Sequence, residues 1–446
     1  MSGKVKETVI QFGEGGFLRG FVDYFFHKLQ EKGLYDGKIV VVQPIEKGMC
    51  GVLAEQNCEY NLFLRGIDNG QVVNEHTHVT SISRALNPYT QYEEYMAVAE
   101  NPDLRVLVSN TTEAGIEYLG TEKLTDTPPK SYPAKLCQFL YKRYKAGLKG
   151  LILLPCELID DNGDNLKKCV LQYADLWELE DGFKNWIETE NDFCSTLVDR
   201  IVTGYPRDEV EELTKQIGYE DKLIDTAEIF HLWVIGGHHE DELPFQKAGY
   251  NIVWTDDVHP YKKRKVRILN GGHTSMVLGA YPYGLKTVGE CMKDETVSSY
   301  LKKCIFEEII PTIGDTEDNR KFGAAVLERF SNPFIKHQLL SIALNSVSKF
   351  QVRVLPTILE YKEKFGKYPV GLTFSMASLI AFYRTDNAND GEEIMKFMKT
   401  ASVEEIMKRQ DYWHEDLTEM IPMVQEYYDL IQEKGMAEAY KAVLAK

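Results

Sequence analysis

The order of apolar and polar residues divides the chain into two parts. Up to residue 257, short apolar runs alternate with amphipathic helical segments, a pattern typical of strands that helices cover on both faces. The predicted strands are residues 9–12, 39–42, 60–65, 71–73, 77–80, 104–109, 150–155, 229–235 and 250–254. From residue 258 the pattern is helical, over residues 286–305, 320–350, 351–365, 374–384, 393–400, 403–410 and 416–445. We therefore predict an α/β domain with added strands over residues 1–257 and a mostly α-helical domain over residues 258–446.

The segment 261–275 carries polar residues on the apolar face of a predicted helix. At roughly 100° per residue, His273 lies about 80° and Asn270 about 140° from Lys265. A lysine can exchange a proton with a hydroxyl group, and an amide and an imidazole can hold an oxygen on which charge develops. The alternative is a solvated basic helix start with Asn and His in the core. The pair Gly271-Gly272 either interrupts the helix or lets the backbone approach a ligand closely.

The first predicted strand ends in a glycine-rich turn, and a helical segment follows it. Strand, glycine-rich turn and helix form the context in which dinucleotides bind. Gly13 would make the tight turn, and Gly15 would let the backbone approach a pyrophosphate, with Gly16 and Phe17 beside it. Position 18 holds Leu where the fingerprint has Gly or Ala, so a purely structural turn is the alternative.

Polar residues also follow two further predicted strands, residues 39–42 and 104–109. Gln43 stands near the point where an acid usually binds the adenosine ribose. A neutral side chain does not favour NAD as strongly as Asp would. It also offers no cation for the 2′-phosphate of NADP, for which Lys47 is the nearest candidate, so NAD is the expected cofactor. The strand that precedes Thr111, Thr112 and Glu113 would bring them to the nicotinamide-side ribose. The same residues also fit a capping box for a helix that begins at Thr112.

Four residues are candidates for contacts with a substrate. Glu157 follows a strand at the sheet edge where ligands of α/β proteins bind, although it could instead cap a helix. In the helical part, His337 is one of several polar residues that recur between residues 332 and 353. Lys349 and Arg353 are four residues apart, so one helix face could present both to a carboxylate. A solvated face is the alternative. The histidines lack the spacing of zinc ligands, and we predict no metal site.

Composition narrows the classes of partner. Lys and Arg number 51 against 68 Asp and Glu, which gives a net charge of −17 over 446 residues. This excess argues against a nucleic-acid partner, and an anionic ligand needs a locally basic site such as residues 262–267. No apolar run reaches membrane-spanning length and no secretory leader is evident. With eight scattered cysteines, the chain is expected in the cytoplasm with reduced thiols. The oligomeric state stays open.

Several motifs of the chain, and their order along it, resemble those of the polyol-specific long-chain dehydrogenase family, which includes mannitol dehydrogenase. The resemblance covers nearly the whole chain and lies in Gly13-x-Gly15…Phe17-x-Arg19, Thr112-Glu113, residues 198–201, Lys265-x4-Asn270-x2-His273 and residues 329–333. It implies a metal-independent, NAD-dependent enzyme. In such an enzyme Lys265 would be the general acid and base, and Asn270 and His273 would position the substrate oxygen.

Within that family, the chain is most similar to the branch that acts on keto-uronates, in residues 154–159, 162–163, 266–271, 332–337, 344–346 and 348–350. Leu158 stands where mannitol dehydrogenases carry an oxyanion-holding Asn, and Ser341 stands where polyol enzymes carry a substrate-binding Arg. The resemblance therefore implies reversible, NADH-dependent reduction of D-tagaturonate to D-altronate in hexuronate catabolism. The alternatives are fructuronate, a mannitol-type polyol or a polyol phosphate as substrate, or a non-catalytic dinucleotide sensor.

Overall fold

The computed structural model describes residues 5–112 and 114–446. Contacts divide these residues into two compact units. The first contains the residues up to Arg65 together with Val73–Val258, and the second contains Gly66–Val72 together with His259–Lys446. Within the described residues, no helix is long and apolar enough to span a membrane. The eight cysteines are all buried and free.

The first unit alternates short strands with helices. Its strands are β1 (Glu7–Phe12), β2 (Lys38–Val42), β3 (Tyr60–Asp68), β4 (Gln71–Val79), β5 (Ile82–Leu86), β6 (Val106–Ser109), β7 (Ile152–Pro155), β8 (Asp192–Phe193), β9 (Thr196–Asp199), β10 (Val202–Gly204), β11 (Asp225–Glu228), β12 (Leu232–Gly236) and β13 (Ile252–Thr255). Its helices are α1 (Gly16–Arg19), α2 (Val22–Glu31), α3 (Cys50–Glu55), α4 (Tyr92–Ala97), α5 (Tyr132–Lys145), α6 (Asn162–Leu176), α7 (Asp181–Glu190) and α8 (Val210–Ile217).

A six-stranded parallel sheet forms the centre of the first unit, in the order β5-β2-β1-β6-β7-β8. When only the six strands of this sheet are numbered, in chain order, their order in the sheet is 3-2-1-4-5-6, as in the Rossmann fold. The direction of winding reverses between β1 and β6. The crevice at the carboxyl ends of these two strands is where ligands bind in such sheets. The predicted α/β fold class is confirmed.

The apolar runs are continuous because both faces of this sheet are buried. Val9, Ile39 and Val41 pack into one core layer, whereas Ile10 and Val40 pack into the other. Each of these side chains is fully buried. A strand that alternates between two buried layers has no polar face, so it reads as an uninterrupted apolar segment.

Two smaller sheets account for the added strands, in the orders β10-β11-β3-β4 and β13-β12-β9. The prediction of separate strands over residues 71–73 and 77–80 is wrong, because β4 runs without a break through Asn74 and Glu75. Most of β4 is exposed, so these polar residues sit on solvent-facing positions and do not interrupt pairing. Strands β9 to β11 have at most four residues each, too few to give an alternating pattern.

The second unit is mostly helical from His259 onward. Its helices are α9 (His259–Arg264), α10 (Gly271–Tyr283), α11 (Val288–Lys293), α12 (Glu295–Lys303), α13 (Ile310–Ile313), α14 (Glu317–Phe330), α15 (Leu339–Ile342), α16 (Ser346–Arg353), α17 (Leu355–Phe365), α18 (Val370–Tyr383), α19 (Glu392–Thr400), α20 (Val403–Met407), α21 (Gln410–Trp413) and α22 (Ile421–Leu444). Two π-helical segments, Lys265–Asn270 and Cys304–Ile309, join α9 to α10 and α12 to α13.

Helix α18 forms the core of the second unit and packs against α10 and α22. The prediction of one helix over residues 320–350 is wrong. Helix α14 ends at Phe330, and the chain is irregular from Ser331 to Gln338. Pro333 explains the break, because proline disfavours a helical conformation in the residue before it. The side chain of Asn332 accepts a hydrogen bond from Phe334 N (3.0 Å) and shapes the resulting loop.

Candidate active site

The glycine-rich turn at the end of β1 requires Gly13 for steric reasons. Gly13 has a φ of +125°, and a Cβ there would lie 2.9 Å from Asn110 O and 3.0 Å from Leu18 Cδ1. Its N–H donates to Val42 O (3.0 Å), which ties the turn to β2. Gly15 has nothing within 4 Å of an added Cβ. The open side of this turn therefore lies at Gly15, immediately before α1.

Gly16 and Phe17, also predicted to contact a cofactor, begin α1. A Cβ on Gly16 would lie 3.3 Å from Asp225 Oδ1, so a larger residue has little room there. Phe17 stacks on Phe21 with ring centroids 5.1 Å apart and packs against the core of the first unit. Leu18, the departure from the glycine fingerprint, is 1% exposed and belongs to that core.

The side chain of Gln43 is buried and engaged by the loop that follows β2. Its Nε2 donates to the carbonyls of Ile45 (2.8 Å) and Glu46 (2.9 Å), and its Oε1 accepts from Cys50 N (3.3 Å). Glu14 assists, because its Oε1 accepts from Met49 N (3.1 Å). Gln43 therefore shapes the rim of the crevice through its amide.

A cavity of about 620 Å³ opens at the carboxyl ends of β2, β5 and β6. This volume is in the range of small-molecule sites. The predicted residues Thr111 and Thr112 line it, together with residues that no motif had marked. The full lining is Pro44, Ile45, Glu46, Tyr89, Thr111, Thr112, Ala114, Gly115, Glu117, Leu119, Pro128, Lys130, Ser131 and Tyr132.

The turn after β6 differs from the predicted capping box. Thr112 has a φ of +73°, which is strained for a β-branched residue, and the next helix is α5. The cap of α5 is Ser131, whose Oγ accepts from Ala134 N (3.3 Å). The capping prediction at Thr112 is therefore wrong. Glu113 lies outside the described residues.

Glu157 holds the turn after β6 in place. Its Oε1 accepts from Thr111 N (3.0 Å) and Thr111 Oγ1 (2.9 Å), and its Oε2 accepts from Ser109 Oγ (3.0 Å). The residue is 2% exposed, and burial raises the pKa of its carboxyl group. Asn162 fixes the loop around it by donating to Glu157 O (3.0 Å) and Pro155 O (3.0 Å). Both carboxylate oxygens are thus engaged within the first unit.

In the second unit, the helix predicted over residues 261–275 changes type at its centre. Lys265–Asn270 forms a π-helix, in which each turn holds about one residue more than in an α-helix. The angles expected for an unbroken α-helix therefore do not apply between Lys265 and Asn270. Such segments occur often at functional sites. Lys265 is the first residue of the π segment and Asn270 the last.

The pair Gly271-Gly272 lies inside a continuous helix, and Gly271 allows another segment of the chain to pack closely against that helix. A Cβ on Gly271 would lie 2.9 Å from the carbonyl oxygen of Arg353 at the end of α16. The close approach that glycine permits here is therefore to protein backbone. It brings the end of α16 against the first turn of α10, beside Asn270.

In the second unit, the imidazole ring of His273 packs against two other rings. Its ring stacks face to face on Phe330, with centroids 3.9 Å apart and an interplanar angle of 8°. The ring of His337 contacts the imidazole of His273 edge to face, with ring centroids 5.2 Å apart. The Nε2 atom of His273 is buried and has no hydrogen-bond partner. A buried donor or acceptor without a partner is costly, so this atom is a candidate for a hydrogen bond with a ligand.

The electrostatic surroundings keep His273 neutral. Burial lowers the pKa of its imidazole well below the ordinary value. The charges of Arg329 and Arg353, and that of His337 when it is protonated, act in the same direction. A neutral imidazole can donate one hydrogen bond to a substrate oxygen without carrying charge into the site.

The basic cluster over residues 262–267 is less uniformly cationic than the sequence suggests. Lys263 Nζ lies 3.1 Å from Glu360 Oε2, and Arg267 Nη2 lies 2.8 Å from Glu360 Oε1. Arg267 also donates to Thr357 Oγ1 (2.8 Å). Helix α17 thus supplies a carboxylate that partly neutralises the cluster, which the sequence could not reveal.

The comparisons with known proteins fit this geometry. The mannitol dehydrogenase Rossmann domain matches residues 7–246, and the mannitol dehydrogenase C-terminal domain matches residues 257–445. The chain belongs to the mannitol dehydrogenase family. The resemblance inferred from the motifs is thereby confirmed.

Several relatives in this family are altronate oxidoreductases. The protein from Phocaeicola vulgatus is 45% identical, over 98% of this chain and 97% of its own length. The protein from Pectobacterium atrosepticum is 44% identical, over 97% and 96%. An altronate oxidoreductase from Escherichia coli is 43% identical, over 98% and 96%.

Two solved structures share the fold of this mannitol dehydrogenase family member. A D-sorbitol dehydrogenase in substrate-free form is 24% identical with a TM-score of 0.84, covering 98% of this chain and 95% of that one. Mannitol 2-dehydrogenase of Pseudomonas fluorescens, in a ternary complex with NAD and D-mannitol, is 21% identical with a TM-score of 0.72, covering 99% and 95%. At these identities the likeness concerns the fold, and it confirms the predicted α/β and helical parts.

The described residues hold no cluster of three or more His, Cys, Asp or Glu side chains suited to a metal ion. Burial raises the pKa of the Cys156 thiol well above its ordinary value, which disfavours a nucleophilic thiolate.

Sequence reasoning gave no role to Phe330 and Arg329, although it noted the motif that contains them. They lie more than fifty positions from His273, so only the fold shows that they surround it.

Proposed function

We propose that this protein is an altronate oxidoreductase, which interconverts D-tagaturonate and D-altronate with NADH and NAD⁺. The observation that carries the proposal is identity of 43–45% over nearly the whole length of altronate oxidoreductases. The neutral His273 with its unpartnered Nε2 supports a site that holds a carbonyl oxygen. The reaction would take place in the cytoplasm.

The first unit binds the dinucleotide, which supplies a hydride when it is bound. Gly13 and Gly15 leave the turn before α1 open to a pyrophosphate, with Gly16 and Phe17 beside it. The cavity of about 620 Å³ has room for an adenosine group. Glu46 lines this cavity, and a carboxylate there disfavours the 2′-phosphate of NADPH.

Gln43 and Glu157 act on the cofactor through the loops that they hold. Gln43 folds the loop that forms one wall of the cavity, and Glu157 fixes Thr111 next to Thr112 on another wall. In this proposal Glu157 is a positioning residue rather than a substrate ligand, because both of its oxygens already accept hydrogen bonds.

The second unit supplies the proton and holds the oxygen. Lys265, as an ammonium, gives a proton to the oxygen of the ketone as the carbonyl carbon is reduced, and it is left as a neutral amine. Asn270 and His273 donate hydrogen bonds to that oxygen as negative charge develops. The reverse reaction starts with a neutral Lys265, which removes the hydroxyl proton. His337 lies against His273 and lines the same site.

Turnover of a substrate panel tests the proposal. NADH oxidation is followed by absorbance with D-tagaturonate, D-fructuronate and D-fructose, and the panel is repeated with NADPH. We expect fast turnover on tagaturonate with NADH alone. Preference for fructuronate or fructose would assign a sister activity in the same family. Binding of NADH without turnover on any of them would contradict the enzymatic proposal and favour a sensor.

A further inference from the structure

The guanidinium of Arg353 lies half-buried at the end of α16 without an anionic partner. Its Nη1 makes one long contact, 3.5 Å to Thr274 Oγ1. Among residues 5–112 and 114–446, no carboxylate lies within ion-pairing distance of it. A guanidinium keeps its charge at physiological pH, so partial burial without an anion is unfavourable. Such a group is suited to an anion that arrives from solution.

Arg353 lies next to the residues that hold the substrate oxygen. Its carbonyl packs against Gly271, directly after Asn270. Thr274, which its guanidinium contacts, directly follows His273. The charge of Arg353 also contributes to the lowered pKa of His273, which requires that the two groups be close. A ligand that reaches His273 Nε2 therefore meets the field of Arg353.

The other candidate on α16, Lys349, is better satisfied by the protein itself. Its Nζ donates to Ile342 O (3.0 Å). Burial and the charge of Arg353 lower the pKa of its ammonium group, and the carboxylate of Asp390 acts in the opposite direction. Lys263 and Arg267 share Glu360. Compared with these three cations, Arg353 lies beside His273 without a carboxylate partner among the described residues.

We propose that Arg353 binds the carboxylate of the substrate and makes the site selective for keto-uronates over neutral ketoses and polyols. This inference rests on the proposed function. A guanidinium presents two parallel N–H donors that match the two oxygens of a carboxylate. In an open-chain keto-uronate the ketone lies near one end and the carboxylate forms the other. One molecule can therefore contact His273 and Arg353 together.

The test compares a uronate with its neutral counterpart in the same variants. Values of kcat/KM are measured for D-tagaturonate and for D-tagatose, in which a hydroxymethyl group replaces the carboxylate. We expect R353M to lower kcat/KM for tagaturonate about 100-fold, mainly through KM, because a buried ion pair is lost. The value for tagatose should change by only a few-fold. R353K keeps the charge without the fork and should fall between R353M and the wild type.

Two further measurements complete the design. R320M removes an exposed arginine of α14 that pairs with Asp315, and it controls for the loss of one positive charge. Calorimetric binding of D-altronate, with Tm recorded for each variant, separates lost affinity from lost folding. We expect R353M to lose altronate affinity at a near-normal Tm.

Three outcomes would overturn the inference. An equal loss on tagaturonate and tagatose would make Arg353 a structural residue. Unchanged kcat/KM for tagaturonate in R353M would move the carboxylate to another cation, such as Lys349. Wild-type protein that does not discriminate between the two compounds would contradict the proposed function itself, before any variant is considered.

Discussion

The candidate site residues of the two units differ in whether the protein itself satisfies their buried polar groups. In the first, Gln43 and Glu157 have donors or acceptors for their side-chain atoms, all within the unit. In the second, His273 keeps an unpartnered Nε2, and Arg353 has one long contact. The first unit thus presents a preformed shape made of backbone and loops. The second presents side chains whose hydrogen bonds a ligand completes.

This difference matches the ligands that each unit is proposed to bind. A dinucleotide is large, and backbone groups of a tight turn suffice for its phosphates. A short keto-acid offers few atoms, so each contact must come from a directed and specific group. Removal of a group that a ligand completes should affect turnover, whereas removal of a group that the protein satisfies should affect stability. The following predictions test that distinction.

The largest effect is expected at Lys265. The variant K265A loses the proton donor, and we expect kcat to fall about 1,000-fold, within the usual range for general acid–base groups. NADH binding, followed by fluorescence, should be unchanged. K263A is the matched control, because Lys263 pairs with Glu360, and it should keep turnover within a few-fold. Near-normal turnover in K265A would contradict the proposed mechanism.

The next largest effect contrasts two glycines of the same turn. G13A forces a side chain into a φ of +125° and to within 2.9 Å of Asn110 O, and we expect a loss of about 3 kcal/mol in unfolding free energy. G15A meets open space, so its Tm should stay near that of the wild type. Its NADH affinity should fall about 10-fold if the pyrophosphate approaches there. Equal Tm values for the two variants would refute the steric argument.

Much of this contrast was visible in the sequence, and part was not. The continuous apolar strands and the Gly13-x-Gly15 turn predict a Rossmann sheet because such strands are buried on both faces. The spacing of Lys265, Asn270 and His273 also predicted a candidate site in the helical unit. The engagement of Glu157 could not be predicted, because its partners Ser109 and Thr111 lie far away in sequence. The partners of Gln43 are close in sequence, but they meet its amide only through the fold of the loop after β2. Hydrogen-bond satisfaction is a tertiary property, and residue type does not encode it.

A carboxyl group satisfied by the second unit itself should affect stability alone. Glu308 accepts from the N–H groups of Gly371 (2.7 Å) and Leu372 (2.8 Å) at the start of α18, and burial raises its pKa to about 7 from 4.5. Between these values the folded protein holds a proton that the unfolded chain has released. The unfolding free energy should therefore fall as pH rises from about 4.5 to about 7, by on the order of 2 kcal/mol.

The variant E308Q isolates this contribution. Glutamine cannot ionise, so the decline in Tm between pH 5 and pH 7 should be shallower than in the wild type. E317Q, which changes an exposed carboxylate at the start of α14, should leave the slope as it is. Turnover of folded E308Q should stay within a few-fold of normal. An unchanged slope in E308Q would show that another group causes the pH dependence.

The smallest effect is expected at Phe330, whose ring covers one face of His273 at 3.9 Å. F330L removes the stacking that fixes the imidazole, and we expect kcat to fall about 10-fold, because aromatic pairs contribute roughly 1 kcal/mol. NADH affinity should not change. F330Y keeps the stacked ring and should recover most of the activity.

A spectroscopic measurement distinguishes positioning from packing at this residue. In F330L water gains access to the imidazole, so the pKa of His273, followed by NMR, should rise towards its ordinary value of 6.5. A purely structural role would lower Tm without moving this pKa. If the pKa and kcat both stay at their wild-type values while Tm falls, then Phe330 supports the fold only. The orientation of His273 would in that case be set by His337 and the helix backbone.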